Sequence, residues 1–94
     1  MLQLSEIHQK PIDYIDIPAP QHSPNAYYRV VYGDIDWNED NNFRRAIYVV
    51  MGYENGINYR RVAHILTTSN ELNGLSDLDL VQTAIQRLKE RNNM

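Results

Sequence analysis

The sequence predicts an α+β fold: an antiparallel sheet of three or four strands, with a C-terminal helix packed on one face. Residues 43–53 and 57–67 are rich in aromatic and β-branched side chains, which favour strands. Asn55-Gly56 lies between them and is typical of a two-residue hairpin turn. In the segment 77–91, apolar residues recur at steps of three and four, so one side of a helix is apolar. Such a helix must bury its apolar side, and the sheet is its predicted partner.

The helix over residues 77–91 has sequence signals at both ends. Ser76 is placed to cap the first turn, and Asp79 lies three residues on, as in a capping box. Lys89 and Arg91 lie in the last turn, where cations interact favourably with the helix dipole. The predicted apolar stripe consists of Leu78, Val81, Ala84, Ile85 and Leu88.

Residues 26–67 are predicted to form a β-meander, with 26–33 as its first strand and 34–42 as a polar turn. If Asn55 and Gly56 form the loop, Glu54 pairs with Ile57 and alternation sorts the side chains onto two faces. The face predicted to receive the helix carries Phe43, Ile47, Val49, Met51, Tyr53, Val62, His64 and Leu66. The opposite face, the predicted interaction face, carries Arg44, Ala46, Tyr48, Val50, Tyr59, Arg61, Ala63 and Ile65.

A competing interpretation makes residues 58–69 a helix. The adjacent β-branched residues and the Asn-Gly turn before them favour a strand instead.

The first 25 residues are predicted to be an extended N-terminal arm or an edge strand. Residues 11–18 have β-type composition, but a proline at each end restricts them to an edge or an arm. Residues 19–25 contain two more prolines and are expected to be a loop. We expect residues 1–94 to form a single domain, since 94 residues are enough for one core.

Composition narrows the functional classes. The chain has 43% hydrophobic residues and a net charge of −3. It has no cysteine, which excludes disulfides, thiol nucleophiles and cysteine-ligated zinc. No recognised catalytic, nucleotide-binding or metal-binding motif occurs, and the three histidines are far apart. We therefore expect no enzymatic activity, no cofactor and no metal. The N-terminal MLQLSEIHQK has no signal-peptide pattern, and no apolar run could cross a membrane, so a cytoplasmic location is expected.

The turn at 34–42 begins like a calcium-binding loop. Asp34, Asp36 and Asn38 have the spacing of the first EF-hand ligands. The sixth position, which requires glycine, is Glu39, and the twelfth, which requires glutamate, is Arg45. A solvated connection between strands is therefore expected.

The predicted interaction face has more apolar surface than a two-layer domain leaves in water. We therefore expect a small, non-catalytic binding or regulatory module that acts by protein–protein interaction, as a homodimer or with another protein. The alternative is a nucleic-acid-binding domain, in which Arg44 and Arg61 contact phosphates and Tyr48 and Tyr59 stack on bases. In element order alone, residues 26–91 resemble the arm-type DNA-binding domain of some phage integrases.

Charge is distributed unevenly along the chain. Residues 1–40 hold seven acidic and two basic residues, giving −5, whereas residues 41–94 have a net charge of +2. The acidic N-terminal part is therefore expected to pack near the basic sheet or to pair with another protomer.

Overall fold

The computed structural model describes residues 9–36, 40–58, 63–69 and 74–94. These residues form one four-stranded antiparallel sheet and one helix, which confirms the predicted α+β class. Among them, no helix has the length and apolarity needed to cross a membrane. The elements are β1 (Gln9–Pro18), β2 (Tyr27–Ile35), β3 (Arg44–Tyr53), β4 (Gly56–Asn58) and α1 (Asp77–Arg91).

The strands follow one another across the sheet in chain order, β1-β2-β3-β4. The N-terminal segment is an edge strand, one of its two predicted forms, and pairs with β2 along its length. The pairing shifts between Pro11 and Asp13, which leaves Ile12 as the extra residue of a β-bulge. Strands β1 and β3 have 10 residues and β2 has 9, whereas β4 has 3.

The hairpin between β3 and β4 lies one residue earlier than predicted. Tyr53 pairs with Gly56, so Glu54 and Asn55 form the turn, and the predicted pairing of Glu54 with Ile57 is wrong. Gly56 has a φ of +117°, whereas Asn55 is not in the left-handed region. A type I′ turn needs positive φ at both loop positions, so Asn55-Gly56 does not form one.

The predicted third strand is confirmed at residues 57–58 and is wrong over residues 63–67. Strand β4 ends at Asn58, and residues 63–67 are neither strand nor helix, which also rejects a helix over the described part of 58–69. The backbone N–H of Leu78 donates to the Leu66 carbonyl at 3.0 Å, so this segment lies beside the helix. One helix, about 10 Å wide, cannot cover strands spaced about 4.8 Å apart across the whole sheet. Ala63 and Ile65 supply additional cover.

Helix α1 occupies the residues that the sequence predicts. The Ser76 hydroxyl accepts from the Asp79 N–H at 3.1 Å, and the Asp79 carboxylate accepts from the Ser76 N–H at 2.9 Å. This reciprocal pair is the predicted capping box. Val81, Ala84 and Leu88 are buried against the sheet.

The core lies between the helix and one side of the sheet, where Tyr28, Val30 and Met51 are fully buried. Ile47 and Val49 line the same side, as predicted. We call the other side the open face, because the described helix and the segment 63–66 pack on the core side. Residues of the open face are Tyr14, Asp16, Tyr27, Arg29, Val31, Arg44, Ala46, Tyr48 and Val50.

Candidate interaction face

Four of the predicted face residues lie on the open face, all from strand β3. Ala46, Tyr48 and Val50 are half-buried, and Arg44 is exposed at the start of the strand. The Tyr48 hydroxyl donates to the Gln9 side-chain oxygen, which links β3 to β1 across the sheet. Strand alternation places these residues as the sequence analysis expected.

Of the other four predicted residues, two lie on the opposite side of the sheet and two lie outside the described residues. Ala63 and Ile65 pack against the core on the helix side, so their predicted placement is wrong. The prediction applied strand alternation to a segment that has already left the sheet. Tyr59 and Arg61 lie outside the described residues. His64, predicted on the core side, has an exposed side chain and contributes its backbone carbonyl to the core instead.

Strands β1 and β2 supply face residues that the sequence analysis missed. Tyr14 is 48% exposed on β1 and lies in one row with Val31 and Tyr48. Val31 pairs with both residues and is buried, at 3% exposed. The alternation of residues 13–17 is the signal that could identify Tyr14, but the sequence does not distinguish an arm from an edge strand at this segment.

Arg29 is the most highly organised side chain of the open face. Its Nε and Nη2 donate to the two carboxylate oxygens of Asp16 at 2.7 and 3.0 Å, a bidentate ion pair. The guanidinium carbon lies 4.1 Å from the ring centroid of Tyr14 and 5.7 Å from that of Tyr27. The hydrogen bond to Asp16 raises the pKa of Arg29 above its ordinary value. The arginine is therefore fixed in place between aromatic and acidic neighbours.

Gly52 and Gly33 allow close approach on this side of the sheet. A Cβ on Gly52 would lie 2.1 Å from the Tyr27 ring, so that ring covers the glycine of the paired strand. A Cβ on Gly33 would lie 2.5 Å from the carbonyl oxygen of Lys10, beside the bulge in β1. Because the two glycines have no side chain, the Tyr27 ring can pack on Gly52 and the Lys10 carbonyl can approach Gly33.

Three arginines of the described chain are paired with acidic side chains. Besides Arg29, Arg45 donates to Asp34 at 2.7 Å, and Arg91 forms an ion pair with Asp13. Acidic side chains of β1 and β2 thus neutralise arginines of the sheet and the helix. Part of the uneven charge along the sequence is therefore compensated within the fold. Because phosphate binding depends on available cations, these pairs reduce the capacity of the described residues for nucleic acid.

A buried polar cluster lies under the helix, on the core side. The hydroxyl of Tyr28 donates to Asp77 at 2.7 Å and accepts from the Leu66 N–H at 3.3 Å. The His22 Nε2 lies 2.9 Å from the same hydroxyl and 2.8 Å from the His64 carbonyl, so Nε2 carries a proton. Tyr28 is fully buried, and Asp77 is 3% exposed. These groups satisfy one another, and the arrangement is that of a structural network.

Two carboxylates at the acidic turn after β2, those of Asp34 and Asp36, bind groups of the protein itself. Asp34 pairs with Arg45, and the buried Asp36 carboxylate accepts from the N–H groups of Asp40 and Asn41 at 3.1 and 2.8 Å. Asp36 therefore closes the turn by side-chain-to-backbone bonds. Within the described ranges, no three histidine, aspartate or glutamate side chains lie close enough together to hold a metal ion.

A shallow groove of about 490 Å³ lies at the end of the sheet, between the loop after β1 and the β3–β4 turn. Ser23, Pro24, Asn25, Tyr53, Glu54 and Asn55 line it. The groove is wide open to solvent, so it lacks the enclosed walls of a site that desolvates a small ligand.

Comparison with protein-family models, with curated proteins and with solved structures gave no match.

Proposed function

We propose that this protein is a small non-catalytic interaction module that binds another protein chain through the open face. The observation that carries the proposal is the composition of that face, which no described element covers. It combines the exposed ring of Tyr14, half-buried Tyr48 and Val50, and the stacked Arg29. Tyrosine and arginine are enriched at protein interfaces, where they contribute a large share of the binding energy.

The fixed conformation of Arg29 favours this role. A side chain that is already held by Asp16 and by the Tyr14 ring loses little conformational entropy when a partner covers it. The methylene and aromatic surfaces of the pair would be buried in the complex, while the ion pair keeps the charge compensated. The face is therefore preorganised for contact with another protein.

The charge of the face fits a protein better than a nucleic acid. Arg29 is neutralised by Asp16, which leaves Arg44 as the cation of the open face with no ion-pair partner in the described chain. A nucleic-acid site gains most of its affinity from several cations that contact phosphates. With a net charge of −3, the chain has no long-range attraction to a polyanion.

Site-specific photo-crosslinking in cells tests the proposal, because it labels whichever molecule lies against the open face. A benzophenone amino acid replaces Tyr14 on the open face; the matched control replaces Gln82, which is exposed on the helix. We expect protein adducts, sensitive to protease, from position 14 and much weaker ones from position 82. Nuclease-sensitive adducts from position 14 would support the nucleic-acid alternative instead. Equal labelling from both positions, or none from either, would overturn the proposal.

A further inference from the structure

We propose that Asn55 is a site of spontaneous covalent modification, which deamidates through a succinimide to give aspartate and isoaspartate in the turn between β3 and β4. Asparagine is among the thermolabile residues of proteins. The reaction needs a side-chain amide that is free to rotate, a following backbone nitrogen that can reach it, and space for the ring that joins them. The inference does not depend on the proposed function, because the only co-reactant is water.

The side chain of Asn55 is free to rotate. Asn55 is exposed in the two-residue turn that it forms with Glu54. Among the described residues, none bonds to its side-chain amide. By contrast, the Asn92 side-chain amide donates to the Leu88 carbonyl at 2.9 Å and to the Asp13 carboxylate at 3.2 Å. An amide held in this way cannot turn its carbon toward the next residue, whereas the amide of Asn55 can.

The residue after Asn55 gives the ring the space that it needs. Gly56 is exposed, and apart from its chain neighbours no atom lies within 4 Å of the position that a Cβ would occupy. Asn25 is exposed as well, but it precedes Ala26, which is 4% exposed and whose N–H donates to the Ser23 carbonyl at 3.1 Å. A ring at Asn25 would have to break into a packed loop, whereas a ring at Asn55 meets solvent.

The short ladder of β4 makes the attacking nitrogen accessible. Strand β4 has three residues and pairs with β3 at three positions, whereas β1 pairs with β2 at nine. Gly56 lies at the turn end of this short ladder, opposite Tyr53. Segments with few contacts open locally at a small cost in free energy. We therefore expect local opening of β4 to release the Gly56 nitrogen while the rest of the sheet stays folded.

The chemistry is intramolecular. The Gly56 backbone nitrogen loses its proton to solvent and attacks Cγ of Asn55. The N–Cγ bond forms, the Cγ–Nδ2 bond breaks, and Nδ2 leaves as ammonia with a proton taken from solvent. Water then opens the succinimide at either of its two carbonyl carbons, which yields aspartate or isoaspartate. Each product carries a new carboxylate beside Glu54, so the net charge of −3 becomes one unit more negative. In isoaspartate the backbone of the turn also gains a methylene group.

Peptide mapping by mass spectrometry tests the inference on the purified protein, incubated in mildly alkaline buffer with and without guanidinium chloride. The denatured sample gives the rate at each site without the fold, and Asn25 is the internal control. We expect folding to slow the conversion of Asn25 by at least about tenfold and that of Asn55 by less than about threefold. Isoaspartate at position 55 should be detected by labelling with an isoaspartyl methyltransferase.

Variants assign the conversion to its residue. Trypsin releases residues 46–60 as one peptide, which contains Asn55 and Asn58. The mass change of this peptide should be absent in Asn55→Gln, whose longer side chain would need a larger ring, and should persist in Asn58→Gln. Asn73 also precedes a glycine, but it lies outside the described residues and in a different peptide.

Three results would overturn the inference. Equal protection of Asn55 and Asn25 by folding would mean that the turn does not expose the site. Aspartate without isoaspartate at position 55 would indicate direct hydrolysis by water in place of a succinimide. A mass change that persists in Asn55→Gln would place the modification at another residue. Loss of the change in Asn55→Gln alone, with isoaspartate in the wild type and little protection by folding, supports the inference.

Discussion

The hydroxyl of Tyr28 on β2 donates a 2.7 Å hydrogen bond to the carboxylate of Asp77, the first residue of helix α1. The two residues are separated by 49 positions in the chain, and both are buried. The bond therefore fixes the N-terminus of the helix to the centre of the sheet. The Leu66 N–H and the His22 ring also bond to this hydroxyl, so one oxygen connects the sheet, two loops and the helix.

Tyr28→Phe removes this oxygen while keeping the ring. We expect the free energy of unfolding to fall by about 2–3 kcal/mol, because the buried Asp77 carboxylate and the Leu66 N–H lose a partner. Urea unfolding followed by circular dichroism measures the change. Tyr14→Phe is the matched control, since its ring lies on the surface, and should change stability by less than about 0.5 kcal/mol. Equal effects from the two variants would mean that the cluster contributes little.

Tyr28 should resist ionisation in alkaline solution. Burial, and then the hydrogen bond to Asp77, raise the pKa of Tyr28 far above its ordinary value. The unfolded chain binds this proton less tightly, so the contribution of Tyr28 to stability is fully present below about pH 10 and is lost as pH rises further. Absorbance of tyrosinate at 295 nm gives the measurement. At a pH where the protein is still folded, the wild type and Tyr28→Phe should develop the same signal; a smaller signal in the variant would contradict the assignment.

The ion pair between Asp13 and Arg91 predicts an acid-dependent contribution to stability. The hydrogen bond from Arg91 lowers the pKa of Asp13 below its ordinary value. A lowered folded-state pKa contributes stability above the unfolded value of about 3.9, and this is lost as pH falls through the folded value. Arg91→Gln should therefore raise the pKa of Asp13, measured by NMR titration of its carboxyl carbon.

Lys89→Gln is the control for this prediction, because Lys89 is exposed in the same helical turn and also carries a positive charge. It should leave the Asp13 titration nearly unchanged. The stability difference between Arg91→Gln and the wild type should shrink as the solution is made more acidic. An Asp13 pKa that responds equally to both substitutions would indicate a general charge effect.

An added methyl group should lower the free energy of unfolding by different amounts at Gly33 and at Gly52. In Gly33→Ala the Cβ meets backbone atoms of Lys10 and Pro11 that cannot move without shifting β1, so we expect a loss of about 2–3 kcal/mol. In Gly52→Ala it meets the Tyr27 ring, which can rotate away, so the loss should be about 1 kcal/mol. Denaturant unfolding measures both.

Removal of the Tyr27 ring distinguishes the two cases further. In a Tyr27→Ala background, Gly52→Ala should become almost neutral, whereas Gly33→Ala should keep its full cost. If Gly33→Ala were also rescued, the close contact of Gly33 with β1 would not be the source of the strain.

The helix could be predicted from the sequence down to its ends, because its signals are local. The capping pair of Ser76 and Asp79 and the three-to-four spacing of Val81, Ala84 and Leu88 lie within single turns. The core side of β3 was also predicted correctly, since alternation along one strand determines which residues share a face.

Contacts between distant segments determine the features that local patterns do not predict. Nothing local in residues 57–67 indicates that the strand ends at Asn58 and that Ala63 and Ile65 go to the core, because this depends on the surface the helix leaves uncovered. The stacking of Arg29 on Tyr14 depends in the same way on the pairing of β1 with β2. Short-range periodicity is sufficient to predict the α+β class, the helix and the two faces of β3. Which side chains meet on the open face follows from strand pairing between distant segments, which no local pattern encodes.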